Sequence, residues 1–274
     1  MEQDVQTTYI GADSLLYATA HRPWPPPDGP WIMTQTWNDL AFLHYAVEPA
    51  ALRALVPDVL TLDLYDGNAW LSITPFWMSN VRPPGVPPVP GLSKFGELNV
   101  RTYVTYRGKQ GIYFFSLDAG NLSAVWGARV FYRLPYWHAK INVEGDLAHG
   151  VGLRRAARPG RDIQYKLKRI HGPRAGDEMP EFRARYAPTG EPQEARPRSL
   201  YSFLCERYCL YAWNRGRLYR GEIHHLHWPL QPAEIEIEKN TMAVPTGLRL
   251  PAQPDIVQYS RTLKVLVWPP ERMG

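Results

Sequence analysis

Glu97-Leu98-Asn99-Val100-Arg101-Thr102-Tyr103-Val104 reads as a β-strand, because polar and apolar residues alternate along it with a period of two. Glu97, Asn99, Arg101 and Tyr103 fall on one face and mostly apolar residues on the other. A carboxylate, an amide, a guanidinium and a phenol therefore form a ladder. On a solvated sheet such a ladder is ordinary surface; facing inward it is the wall of a pocket. The Pro-rich and aromatic flanks, with many β-like runs elsewhere, favour the inward reading.

The segments around the ladder extend the same pattern. Arg107-Gly108-Lys109-Gln110-Gly111 is a turn, and residues 112–117 form an antiparallel partner. Upstream, residues 82–91 hold five prolines, too long for a tight connection and too stiff for a floppy one, which suits either a lid over a cavity mouth or a plain surface crossover. Residues 59–65 and 69–77 are expected to pair as a hairpin across Asp66-Gly67. Glu48-Pro49-Ala50-Ala51-Leu52-Arg53-Ala54-Leu55-Val56-Pro57 reads as a short helix, with Pro49 in its first turn and Pro57 as its stop. The first 30 residues end in His21-Arg22-Pro23-Trp24-Pro25-Pro26-Pro27 and read as an extended arm anchored by Trp24.

Downstream, residues 124–134 are expected to be a strand, broken by Pro135-Tyr136 and resumed over 137–143. Residues 161–170 and 181–187 form a hairpin with Ile163, Tyr165, Leu167, Phe182, Ala184 and Tyr186 inside. Lys166, Lys168, Arg183 and Arg185 make its outer face basic, which suits a solvated, aggregation-resistant edge better than a polyanion-binding surface. Ser199 caps a short helix over 199–206, residues 208–213 and 217–227 pair around Asn214-Arg215-Gly216, and 256–268 is the last strand. No βαβ rhythm, phosphate-binding glycine loop or repeat is present. The economical fold class is mainly β (α+β): one antiparallel sheet curled into a barrel with a few short helices, giving an arm over 1–30 and one domain over 31–274.

Composition narrows the function classes. The 274 residues are 45% hydrophobic, enough for a sizeable core, but no apolar run reaches the ~20 residues of a membrane span. The first residues, Met1-Glu2-Gln3-Asp4, lack a signal-peptide pattern, and Cys205 and Cys209 make no disulfide framework, so a cytoplasmic protein with no membrane partner is expected. A net charge of +5 invites nucleic acid, yet the arginines are dispersed and no recognition motif occurs, so no nucleic-acid partner is expected.

The chemistry concentrates on the ladder. Facing inward, Arg101 offers a fork to a carboxylate or phosphate, and Glu97 can be tuned for proton transfer. The competing reading is a Glu97–Arg101 pair that merely satisfies two buried charges. Arg129, alone in an apolar stretch, needs a partner, either a ligand or Glu97. In His224-His225-Leu226-His227 the spacing of His225 and His227 suits zinc, but no third ligand is fixed, with His138, His149 and Glu222 the candidates; a hydrogen-bonded histidine pair is the simpler reading, so neither metal nor cofactor is assigned. Cys205 reads as a buried small hydrophobe, and no serine elbow is present.

Five separated motifs resemble the YqjF-like bacterial family of unknown function: residues 31–40 (WIMTQTWNDL), the ladder strand, Leu134-Pro135-Tyr136, residues 204–208 (LCERY) and residues 224–230 (HHLHWPL). The resemblance runs from about residue 20 to 268. That family is similar to the acetoacetate decarboxylase superfamily, which implies a cone-like antiparallel β-barrel around a cavity and a pocket position for Glu97. In those decarboxylases a lysine forms a Schiff base with the keto substrate. The matching segment here, Gly127-Ala128-Arg129-Val130-Phe131, has no lysine, and arginine forms no imine, so that route is not inferred. Lys140 is the nearest lysine along the chain. The expectation is a protein that takes a small anionic or carbonyl ligand, as an enzyme without a Schiff base or as a non-catalytic binder, with a homo-oligomer left open. Glu97 is the expected acid or base; Arg101 and Arg129 bind the anion, Asn99, Tyr103 and Tyr136 orient it, and Glu206 with His225 completes the wall.

Overall fold

The structure, a computed structural model, describes residues 12–127, 129, 132–147 and 162–274. The ladder lies within a longer strand, and thirteen strands among the described residues form one sheet. In chain order these are β1 (Met33–Val47), β2 (Thr61–Leu62), β3 (Ala69–Arg82), β4 (Phe95–Tyr106), β5 (Lys109–Ala119), β6 (Tyr136–Gly145), β7 (Ile163–Arg169), β8 (Glu181–Pro188), β9 (Cys209–Asn214), β10 (Arg217–His224), β11 (Gln231–Asn240), β12 (Ile256–Val267) and β13 (Glu271–Arg272). The short helices are α1 (Ala12–Tyr17), α2 (Pro49–Arg53), α3 (Leu122–Gly127) and α4 (Leu200–Cys205).

The sheet closes in a ring over nine strands, in the order β5, β6, β7, β8, β11, β12, β1, β3, β4 and back to β5. Most pairings are antiparallel, but β5 pairs in parallel with both β6 and β9. The β9–β10 hairpin bridges β5 to β12 by a second route. Tight turns close the hairpins: Arg107-Gly108 between β4 and β5 and Arg215-Gly216 between β9 and β10 all have positive φ, the twist that two-residue turns demand.

Both faces of β4 are buried. Leu98 and Val100 pack with Leu43, Tyr45, Ile73, Tyr165 and Phe182 on one side. On the other, Tyr103 packs with Phe42, Trp70, Phe76, Leu204, Cys205 and Trp228. At about 1.5–3 kcal/mol for each large apolar side chain removed from water, these layers supply the driving force that sequesters the polar ladder. A bulge in β1 leaves Asp39 at φ 47°, and its carboxylate accepts from Trp77 Nε1 at 2.8 Å and the Tyr259 hydroxyl at 2.6 Å. These bonds hold a conformation that non-glycine residues rarely adopt.

Three expectations are corrected. The start of the expected 124–134 strand is helical instead: Asn121 Oδ1 accepts from the Ala124 backbone N–H at 3.1 Å and starts α3, so a local cap overrides β-rich composition, while residues 128, 130 and 131 lie outside the described residues. Residues 59–65 do not pair with β3; Tyr65 and Asn68 form a single bridge around Asp66-Gly67, and β2 pairs with β4 instead. The N-terminal arm is not wholly extended, since it contains α1. Arg22 holds the arm down by donating to the Ile223 carbonyl at 2.7 Å, and Trp24 lies beneath the Lys109 ammonium at 4.9 Å. The 163–169 and 181–187 hairpin forms, but Asp162, Glu181 and Glu238 pair with Arg185 and Arg183 on its outer face.

Candidate functional site

Along the polar face of β4, Glu97 stands opposite Phe76 of β3, Asn99 opposite Thr74, and Arg101 opposite Ser72. All three ladder residues are at most 6% exposed. Gly96, just before Glu97, lets β6 approach closely: a Cβ there would lie 2.5 Å from Ile141 Cγ2. That approach brings Tyr136, at the start of β6, onto Glu97.

The Tyr136 hydroxyl donates to Glu97 Oε2 at 2.8 Å, and the Tyr165 hydroxyl donates to the Glu97 carbonyl at 2.8 Å. Burial raises the Glu97 carboxyl to about 8; the bond from Tyr136 opposes this and the Asp118 carboxylate adds to it. Glu97 therefore carries a proton at neutral pH. Asp118 itself is held by a bidentate contact from Arg169, with Nε at 2.6 Å and Nη2 at 2.8 Å.

Arg101 is the opposite case. Its guanidinium makes no hydrogen bond or ion pair with any described residue; the Phe42 ring lies 5.2 Å away, and its charge is felt by His44, Tyr103 and Cys205. Arg101 Nε, Asn99 Oδ1, Thr74 Oγ1, Ser260 Oγ and the indole N–H groups of Trp70 and Trp228 are all buried without a hydrogen-bond partner. Proteins rarely leave such groups unsatisfied, because each forfeits its hydration. Arg101 Nε is a donor without an acceptor, and its complement is the oxygen of an anion.

Beside Arg101 runs a closed chain that the sequence analysis missed. His44 Nδ1 and the Ser72 hydroxyl lie 2.6 Å apart, and Ser72 Oγ is 2.6 Å from the Tyr103 hydroxyl. The Cys205 thiol donates to Gln258 Oε1 at 3.3 Å and sits 3.9 Å from His44 Nε2. Burial, with the Arg101 charge adding to it, drives His44 down to about 3, and burial pushes the Cys205 thiol far up. Both are neutral, so the thiol is not an activated nucleophile. The signal for His44 was its place in the apolar run Leu40-Ala41-Phe42-Leu43-His44-Tyr45, where a lone imidazole needs a partner.

The remaining expected residues lie further out. Glu206 accepts from the Trp228 backbone N–H at 3.1 Å and from the Tyr208 hydroxyl. His225 stacks on Tyr208 at 4.7 Å, with Nδ1 2.7 Å from the Leu226 carbonyl, and burial lowers it to about 4. Both touch Trp228, whose ring meets Phe42 at 5.0 Å, and Glu206 also acts on the Cys205 thiol that feels the Arg101 charge. Arg129 is exposed and lies over Trp137 at 4.5 Å rather than beside Arg101. Lys140 is exposed on β6. Among the described residues no group of three His, Cys, Asp or Glu side chains could hold a metal; Glu222 is instead surrounded by Lys109, Arg220 and Arg22, and His149 lies outside the described residues.

A ring of mostly antiparallel strands closed on an apolar core, with a buried polar ladder on the opposite face of β4, is the acetoacetate decarboxylase-like β fold, and solved structures bear this out. The enduracididine biosynthesis enzyme MppR complexed with pyruvate superposes with a TM-score of 0.60 at 13% identity, covering 92% of this chain and 96% of that one. Acetoacetate decarboxylase from Legionella pneumophila gives 0.56 at 14% identity, with 96% of each chain covered. At these identities the likeness concerns the fold alone. The chain belongs to the DUF2071 family, described as an uncharacterized conserved protein, which matches residues 34–264. It is 46% identical over 243 residues to the uncharacterized protein YqjF of Bacillus subtilis (strain 168), covering 89% of this chain and 93% of that protein.

Proposed function

We propose that this protein is an enzyme acting on a small carbonyl-containing carboxylate, held by Arg101 and protonated by Glu97 without a Schiff base. One observation carries the reading: a buried guanidinium with no anionic partner among the described residues stands on the same strand face as a carboxyl group that burial keeps protonated. Glu97 and Arg101 are four residues apart, about 13 Å along the strand, so their two long side chains and a ligand of a few carbons together span that distance past Asn99. Arg101 fixes the carboxylate, Asn99 and Thr74 hydrogen-bond the atoms between, and Phe42 and Trp228 exclude water. Glu97 gives its proton to the developing enolate or alkoxide while Tyr136 keeps the carboxyl oriented. MppR, a relative in fold, has been captured with pyruvate, a carboxylate of this size and kind.

Among the described residues no lysine is buried, which supports a route free of an imine. The test is turnover of a panel of β-keto and unsaturated acids by the parent and by Glu97→Gln, with binding followed in parallel. Loss of turnover by about 100-fold or more in Glu97→Gln, with binding retained, is the expected result. Tight binding by the parent without turnover of any panel member would establish a non-catalytic metabolite binder instead. Binding that survives Arg101→Gln unchanged would overturn both readings.

A further inference from the structure

Outside the ladder, a half-open cleft of about 320 Å³ lies between β5, β9 and the segment that leads into β6. Its size is in the range of sites that take small organic ligands. Arg129 and Arg133 line it, together with Tyr113, Trp213 and Asn214. The cleft shares Phe114, Leu134 and Ala212 with the apolar cluster that holds Tyr136, and none of the ladder residues line it.

The two arginines are its most informative feature. Both are exposed, and neither forms a hydrogen bond or ion pair with a described residue; each lies over a ring instead, Arg129 over Trp137 at 4.5 Å and Arg133 over Tyr219 at 5.8 Å. Arg133 has φ +59°, a left-handed conformation unusual for a long side chain. Two positive charges without acidic partners among the described residues match a phosphate monoester, which carries about −1.5 to −2 at neutral pH, better than the single charge of a carboxylate. Trp213, 41% exposed, and Tyr113 place aromatic surface in the same cleft, and aromatic faces accept planar rings by stacking.

We infer that this cleft is a second binding site, for a small phosphate monoester carrying a planar aromatic ring, with Arg129 and Arg133 on the phosphate and Trp213 on the ring. A nucleoside monophosphate is the representative probe. The site is independent of the reaction proposed for Glu97 and Arg101.

Calorimetric titration of the full chain with AMP, adenosine and inorganic phosphate tests it. Saturable AMP binding, with adenosine and phosphate each at least about tenfold weaker, is expected. Arg129→Gln, Arg133→Gln and Trp213→Ala should each weaken AMP several-fold, with circular dichroism checking that these exposed positions leave the fold intact. Four results would overturn the inference: no saturable AMP binding up to about 1 mM, phosphate alone binding as tightly as AMP, AMP affinity unchanged in the doubly substituted Arg129→Gln, Arg133→Gln protein, or a loss in Arg101→Gln equal to that in Arg133→Gln, which would put the phosphate at the ladder.

Discussion

Glu97 and Arg101 share one face of β4 and do not pair: Glu97 accepts from Tyr136 at 2.8 Å, while Arg101 finds no anion among the described residues. The textureless alternative of an internal ion pair, which would have neutralised both, is therefore not what the fold builds. One group is kept neutral and the other keeps an unmatched charge, and the consequences of that asymmetry can be measured.

Removing the unmatched charge should stabilise the free protein. Arg101→Met is expected to raise the unfolding free energy by about 1–3 kcal/mol, because it deletes a buried charge that lacks a partner while keeping much of the volume. The same substitution should abolish any rise in melting temperature that small carboxylates produce in the parent. Denaturant melts with and without pyruvate read both effects; a destabilised Arg101→Met protein that still responds to pyruvate would refute the assignment.

Glu97 should leave its mark on the pH dependence of stability. Its folded-state value of about 8 lies above the ordinary 4.5, so the folded chain retains a proton that the unfolded chain gives up. That contribution is fully present below pH 4.5 and is lost as pH rises through about 8. Relative to Glu97→Gln, the parent should therefore weaken across this window, with a slope on the order of 1 kcal/mol per pH unit. Urea melts of both proteins at several pH values give the slope directly, and parallel curves would contradict a buried, protonated Glu97.

The buried Asp118–Arg169 pair predicts a large single-site effect. Arg169→Met leaves the Asp118 carboxylate buried and uncompensated, at a cost of about 3–5 kcal/mol. Adding Asp118→Leu should recover most of that loss, since two apolar groups replace two charges. Chemical denaturation of the parent, single and double variants separates this coupling from simple loss of packing.

Borohydride reduction in the presence of acetoacetate should leave the protein mass unchanged. Lys140 lies exposed on β6, whereas an imine-forming lysine sits in the pocket that holds the keto substrate. A reduced adduct located on Lys140 by peptide mass analysis would reverse this conclusion.

Much of the scaffold was legible because its signals are local. The period-two ladder, the glycines that close the turns at Arg107-Gly108 and Arg215-Gly216, and the Ser199 cap of α4 each act over a few residues. The central strand β1 was not recognised, since it is buried on both faces and reads as an apolar run without alternation. β11 was missed despite the alternation of Ile235 and Ile237 with glutamates. The helix α3 was read as a strand because Val125 and Trp126 suit either element, and one Asn121 cap decided between them.

The sequence by itself determined which side chains of the ladder share a face, that turns at Arg107-Gly108 and Arg215-Gly216 close hairpins, and that Gly127-Ala128-Arg129-Val130-Phe131 holds no lysine. Only the tertiary structure decided that Glu97 is protonated, that Arg101 stands without a partner, and that Arg129 belongs to a different cleft. The physical reason is that charge state and pairing depend on desolvation and on neighbours such as Phe42, Asp118 and Tyr136, which come from separate strands and meet Glu97 or Arg101 only when the sheet has closed.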